Sequence, residues 1–176
     1  VVTAEGELAT IGGEALDSPG YDLLALLHGS EGMLGIIVEV TVKLVPKPEV
    51  VNVVLASFAD VGSAGQAVSA IISAGILPAG LEMMDQPAIH AAEAFVHAGY
   101  PMDAGAILLC ELDGAPETVA ADLVDLRRVL LNEGATEVRE AATADERALL
   151  WQGRKAAFPA MGRLAPDYYC MDGTIP

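Results

Sequence analysis

The strongest indication of the fold is the apolar stretch Val50-Val-Asn-Val-Val-Leu-Ala-Ser-Phe58, whose β-branched residues predict a strand. After this stretch the chain alternates between helical and strand patterns: helix 61–74, strand 78–84, helix 86–97, strand 104–112, helix 116–133 and strand 135–140. Two strand-helix-strand halves with an extra helix between them predict a ferredoxin-like α+β sandwich. We expect a mainly antiparallel sheet with its helices on one face.

Residues typical of helix ends support this order. Pro116 stands in the first turn of a predicted helix, and Asp85 precedes another helix as a candidate N-cap. A further helix is predicted over 143–164, and Pro159 should kink or break it because proline removes one backbone donor. We expect a strand over 167–172 to follow.

The first part of the chain has a different pattern. Residues 1–12 predict a hairpin, and Asp22–Leu27 predict a short helix. The apolar run 36–45 is rich in β-branched residues and predicts a long strand. Two prolines within 46–48 end this run, so we expect a domain boundary there.

Composition limits the function classes. Of 176 residues, 53% are hydrophobic, which supports a buried core, yet no apolar run approaches the roughly 20 residues that cross a bilayer. The net charge of −16 repels nucleic acid and anionic lipid. The two cysteines and three histidines have no spacing typical of a disulfide framework or a metal site, so we predict no metal ligands and a cytoplasmic location.

A short loop between the helical and strand patterns holds Gly29, Gly32 and Gly35, with Ser30 and Glu31 among them. Glycines permit positive φ and remove side chains that would keep a ligand from the backbone. Neighbouring amides can therefore point at one planar or anionic group. A lone spacing of this kind has low specificity, so its interpretation depends on the surrounding sequence.

Basic residues concentrate in the last predicted helix. Of the nine Lys and Arg residues, four fall there: Arg147, Arg154, Lys155 and Arg163. A solvated or paired surface role is the common one for any single such charge. Arg154 differs because Trp151 and Phe158, at i−3 and i+4, lie on its side of the helix. We expect a partly apolar setting suited to a bidentate carboxylate contact.

The segment Gly20–Gly35, with the strand pattern after it, resembles the FAD-linked oxidases of the glycolate oxidase and D-lactate dehydrogenase type. Their flavin domain ends in a Gly-Tyr-Asp-Leu segment, a Gly-Ser-Glu-Gly-x-Leu-Gly loop and a closing strand. Trp151-Gln-Gly-Arg154 fits the family's Trp-x-x-Arg motif, and 165–176 resembles the strand before its active site. The resemblance implies that 1–47 is the end of an FAD-binding α+β domain and 48–176 an incomplete C-terminal substrate domain.

The same resemblance implies particular ligand contacts. FAD contacts are implied for Gly29, Ser30, Glu31, Gly32, Gly35 and Ile36. Arg154 would hold the carboxylate of a 2-hydroxy acid, and Tyr169 would donate to a substrate oxygen. Related D-2-hydroxyglutarate dehydrogenases carry a lysine near Tyr169 that this chain lacks, which argues against a second, distal carboxylate in the substrate.

The implied activity is the oxidation of a small D-2-hydroxy acid, glycolate or D-lactate, to the 2-oxo acid. In the family, an upstream glycine-rich loop binds the FAD pyrophosphate, and downstream histidines bind a divalent metal and supply the base. Neither motif occurs in this sequence, so we expect an internal fragment that is inactive alone. Expected partners are the acid substrate, an iron–sulfur or second flavin subunit, and further copies of the chain.

Two alternatives stay open from the sequence. The chain is either part of such an enzyme or a non-catalytic module, a truncated subunit that packs on a separate flavin protein. Among enzymes, aldonolactone and vanillyl-alcohol type oxidases share the flavin domain and form the second candidate class.

Overall fold

A computed structural model describes residues 1–13, 20–171 and 173. The chain divides into two units, Val1–Pro46 and Lys47–Pro176. The first unit contains one helix, α1 (Leu23–Leu27), among its described residues. In the second unit the strands are β1 (Val50–Phe58), β2 (Gly80–Asp85), β3 (Ala106–Gly114) and β4 (Glu137–Glu140). Its helices are α2 (Val61–Ser73), α3 (Gln86–Val96), α4 (Pro116–Asn132) and α5 (Ala144–Leu164).

The four strands form one sheet in the order β2-β3-β1-β4, and every neighbouring pair is antiparallel. In this order the β1-α2-β2 and β3-α4-β4 halves interleave, which is the ferredoxin-like arrangement. The predicted α+β class and antiparallel sheet are confirmed, and β1 has the bounds that its sequence predicted. Helix α3 is the extra element between β2 and β3.

Helices cover both faces of the sheet, so the prediction of helices on one face is wrong. On one face, α2 and α4 pack against a core that includes Phe58 and Leu108. On the other face, α3 and α5 pack against Leu55 and Leu109. Consecutive β1 residues, Val53 through Ala56, are all buried, and a strand that is apolar on both sides needs a layer on each.

The expected helix ends are present. The Asp85 side chain accepts from the backbone N–H of Ala88 at 3.0 Å and caps α3, and Pro116 is the first residue of α4. Of the predicted kink or break at Pro159, the break does not occur, because helix α5 continues through this residue to Leu164. Pro159 lies on an exposed side of α5, where water can hydrate a carbonyl that loses its helical partner.

The segment after α5 does not pair with a strand. The prediction of a strand over 167–172 is wrong for 167–171, and residue 172 lies outside the described residues. Tyr168 instead packs edge-on against Phe158 of α5, with ring centroids 6.1 Å apart. Sheet formation needs a partner backbone, and side-chain composition alone does not supply one.

In the first unit, Val2 forms isolated antiparallel bridges to Leu8 and to Ile36, so the predicted hairpin is confirmed around its turn. The predicted strand 36–45 is wrong beyond Ile36, because 37–45 form no ladder with any described residue. The apolar side chains of this run are exposed, Val38 at 58% and Val40 at 67%.

Burial predicts different reactivities for the two cysteines. Cys110 lies in the core beneath α2 and α4, and burial raises the pKa of its thiol to about 12, whereas Cys170 is exposed. We expect Ellman's reagent at pH 8 to label one thiol per folded chain quickly and the second only in denaturant, since the thiolate is the reactive form. Cys170→Ser should remove the fast phase of thiol labelling. Rapid labelling of both thiols in the native protein would contradict this core assignment.

Candidate functional site

The glycine loop after α1 is built from a sequence of positive φ angles. Gly29, at φ +74°, follows the helix C-cap residue His28. Glu31 and Gly32 have φ values of +49° and +81°, and the Met33 N–H donates to the Ser30 carbonyl at 2.9 Å. This is a tight turn whose two central residues both have positive φ. The predicted FAD contacts therefore lie together in one loop.

Gly35 has a structural role within the first unit. A Cβ at this position would lie 2.7 Å from Val1 Cγ1 and 3.1 Å from the Val2 carbonyl oxygen. Its neighbour Ile36 exchanges two backbone hydrogen bonds with Val2, at 2.8 and 2.9 Å. The close approach of these backbones explains the glycine, whether or not a ligand also lies there.

The turn leaves backbone donors available. The N–H groups of Glu31 and Gly32 make no hydrogen bond to another described residue, and the Glu31 side chain is exposed. Adjacent amides with positive φ can converge on one acceptor group. The donor set therefore fits one edge of a planar cofactor with carbonyl acceptors, such as the flavin of FAD.

In the second unit, Arg154 of α5 is paired with Glu82 of β2. Its Nε and Nη2 atoms both donate to Glu82 Oε2, at 3.1 and 2.8 Å. The side chains of Arg154 and Glu82 are 34% and 44% exposed. One oxygen of Glu82 thus occupies the Nε edge of the guanidinium. Within the described part of the protein, Nη1 has no hydrogen-bond acceptor.

Trp151 is fixed on the same face of the sheet, one turn before Arg154. Its indole Nε1 donates to Glu111 Oε2 of β3 at 2.6 Å. The ring packs over Gly80 of β2, where a Cβ would come within 3.1 Å of the indole. Gly80 and Glu111 are cross-strand partners, so one strand provides room for the ring and its neighbour provides the acceptor.

An open depression of about 580 Å³ adjoins Trp151, with Glu111, Ala148, Gln152 and Lys155 as its other lining residues. It combines an aromatic surface with one acidic and one basic side chain. This surface is suited to a small polar ligand in contact with solvent.

The other predicted site residues lie elsewhere. Phe158 packs with Tyr168. The Arg154 guanidinium has the Glu82 carboxylate as its partner, and not the two aromatic side chains, Trp151 and Phe158, that the sequence predicted beside it. Tyr169 is 88% exposed and makes no hydrogen bond to another described residue. Arg163 lies 4.3 Å above the Phe95 ring.

Sequence reasoning placed Glu82 at the end of a predicted strand, where it could orient a loop at the active face, but did not identify it as the partner of Arg154 or Glu111 as the partner of Trp151. The signal for Glu111 was an acidic residue near the end of the otherwise apolar run Ala106–Leu112. A carboxylate within a buried strand needs a hydrogen-bond partner, and here that partner is the Trp151 indole. No three His, Cys, Asp or Glu side chains converge as metal ligands within residues 1–13, 20–171 and 173.

The fold agrees with the comparisons to known proteins. Residues 47–176 match the family described as FAD linked oxidases, C-terminal domain, and the chain belongs to this family. The full chain is 62% identical to the glycolate oxidase subunit GlcD of Escherichia coli K12 and 42% identical to that of Bacillus subtilis. It is 31% identical, over 92% of its length, to a D-lactate dehydrogenase of Anaerostipes hadrus. The chain spans only 35–38% of the length of these relatives.

A solved structure shares the fold at low sequence identity. An alkyldihydroxyacetonephosphate synthase aligns with 82% of this chain and 29% of its own, at a TM-score of 0.59 and 18% identity. The likeness supports the α+β architecture alone. In the described part of the chain, no helix combines the length and apolar character needed to cross a membrane.

Proposed function

We propose that this chain is part of an FAD-dependent oxidoreductase that oxidises a small D-2-hydroxy acid, glycolate or D-lactate, to the 2-oxo acid. The proposal is supported by the similarity over the whole chain to proteins named as glycolate oxidase subunits. Because those proteins are named as subunits, we also propose a second polypeptide in the assembly, either an iron–sulfur subunit or a second flavin subunit. A divalent metal would need ligands outside the described residues.

The observation that carries the proposal is the free edge of Arg154. A guanidinium has five N–H donors, and Glu82 uses the Nε edge. The donors on Nη1 and the second donor on Nη2 are left for a bidentate carboxylate. Glu82 holds the guanidinium, and the side chain is 34% exposed, so a small acid can reach it.

The glycine loop would bind the cofactor in this proposal. Backbone N–H groups of Glu31 and Gly32 would donate to the flavin edge, with Ser30 beside them. FAD, when bound, accepts the hydride that leaves the alcohol carbon. Arg154 would orient the substrate through its carboxylate and so fix which hydrogen is presented.

The decisive experiment is Arg154→Ala in the full-length protein. We expect kcat/KM for D-lactate or glycolate to fall by about tenfold to a hundredfold, mainly through KM, because a charged hydrogen-bond pair contributes about 1.5–3 kcal/mol. Arg154→Lys keeps the charge but loses the two parallel N–H donors of the planar guanidinium, so its kcat/KM should fall between those of wild type and the alanine variant.

Arg128→Ala is the matched control. Arg128 is an exposed arginine of α4 that pairs with Asp125 at 2.8 Å, so its loss should leave kcat/KM unchanged. FAD content should be equal in all variants. Unchanged kcat/KM for Arg154→Ala would remove Arg154 from the substrate site and, with it, the main structural support for the proposed function.

A further inference from the structure

Tyr100 connects the segment after α3 to the turn of α5 that carries Arg154. Its side chain is buried, with 4% exposure, and its hydroxyl donates to the Leu150 carbonyl oxygen. In an α-helix that carbonyl is the partner of the N–H four residues later, which belongs to Arg154. The tyrosine therefore bonds to the backbone of the turn that begins at Leu150 and ends at the arginine.

The packing around the hydroxyl leaves little room for movement. A Cβ on Gly153 would lie 2.6 Å from Tyr100 Oη and 2.7 Å from the Ala98 Cβ. The α5 backbone therefore rests directly on the tyrosine at the residue before Arg154. Because buried contacts are close-packed, a shift of one side would displace the other.

The electrostatics agree with this geometry. Burial raises the pKa of the Tyr100 hydroxyl far above its ordinary value. The nearby backbone amide of Arg154 partly opposes this rise in pKa. The hydroxyl is therefore protonated at neutral pH and can donate to the Leu150 carbonyl.

The segment that carries Tyr100 is itself held in place. The two oxygens of the Glu93 carboxylate accept the backbone N–H groups of Gly99 and Tyr100, at 3.1 and 3.0 Å. Arg139 of β4 donates to the Gly99 carbonyl at 3.1 Å. Helix α3 and the sheet therefore both fix the backbone from which the tyrosine extends.

We propose that Tyr100 is a positioning residue for Arg154: its hydroxyl fixes the α5 turn so that Arg154 meets both Glu82 and a substrate carboxylate. The inference rests on the proposed function for the role of Arg154. It adds a residue that lies 54 positions earlier in the chain and acts on Arg154 through the α5 backbone. A positioning role should affect substrate binding more than the rate of the chemical step.

The test is Tyr100→Phe in the full-length protein, which removes only the hydroxyl. We expect KM for D-lactate or glycolate to rise about fivefold to tenfold with kcat within twofold of wild type. In an Arg154→Ala background the same change should alter KM by less than twofold, because the arginine it positions is gone.

Ile71→Val is the control for stability alone. Ile71 is buried in the core on the other face of the sheet, so this variant loses stability but should keep the wild-type KM. A wild-type KM for Tyr100→Phe would overturn the inference, as would an equal KM increase in the Arg154→Ala background. If Arg154→Ala alone leaves KM unchanged, the proposed function and the inference are overturned together.

Discussion

Replacing Gly105 with alanine is expected to destabilise the second unit by about 4 kcal/mol or more. Gly105 immediately precedes β3, where its N–H donates to the Phe58 carbonyl at 2.9 Å and its carbonyl accepts from Gln86 at 3.1 Å. A Cβ there would lie 1.9 Å from the Ala59 carbonyl oxygen and 2.6 Å from its carbon. Because these are backbone atoms at the end of β1, no side-chain rotation can relieve the overlap.

Urea unfolding followed by Trp151 fluorescence would measure this effect, since Trp151 is the one tryptophan of the chain. Gly65→Ala is the matched control. Gly65 lies inside α2, and a Cβ there would meet nothing within 4 Å. Alanine should stabilise that helix by about 0.5–1 kcal/mol. A Gly105→Ala midpoint close to wild type would show that the β1 and β3 ends are not packed as described.

Gly153→Ala is expected to lower the stability of the second unit by about 1–3 kcal/mol and to weaken substrate binding in the full-length protein. The added methyl would meet the Tyr100 hydroxyl at 2.6 Å and the Tyr100 ring at 2.7 Å. Both belong to a buried side chain whose backbone is held by Glu93. Helix α5 must therefore move outward, and Arg154 moves with it.

Gly162→Ala, in the same helix, is the control: it shows what a glycine-to-alanine change does to α5 when there is no clash. Its Cβ would come no closer than 4.0 Å to Tyr168, so the substitution should be neutral or stabilising. Urea unfolding gives the stability of each variant, and under the proposed function KM reports the position of Arg154. Equal stabilities for the two variants would contradict the close contact between α5 and Tyr100.

The helices and strands that are marked by residues close together in the sequence were predicted correctly. The β-branched run Val50–Phe58 specified β1, and the Asp85 cap marked the start of α3. The second helical layer was missed because the six consecutive buried residues from Val53 to Phe58 were interpreted as an ordinary strand. Their apolar character on both sides was the available signal, and it indicates a strand covered from both faces.

The site depends on contacts between residues far apart in the chain. The Trp-x-x-Arg resemblance directed attention to Arg154, but its partner Glu82 lies 72 residues earlier, on another element. The strand order and register bring that carboxylate beneath α5, and no local pattern encodes them. Tyr100 was missed for the same reason, since its partner Leu150 lies 50 residues later.

The run 36–45, which forms no ladder with any described residue beyond Ile36, has a consequence for handling the protein in solution. Ile36-Ile-Val-Glu-Val-Thr-Val42 combines high β-propensity with a single charge and no proline, the composition of segments that stack into amyloid-like fibrils. Because its backbone beyond Ile36 pairs with no residue in the described part of the chain, it can template strands from other copies. Glu39, Lys43 and Pro46 act as gatekeepers within and after the run, and the charge of −16 adds repulsion between chains. Low salt should therefore favour dispersed chains, whereas screening should favour fibrils.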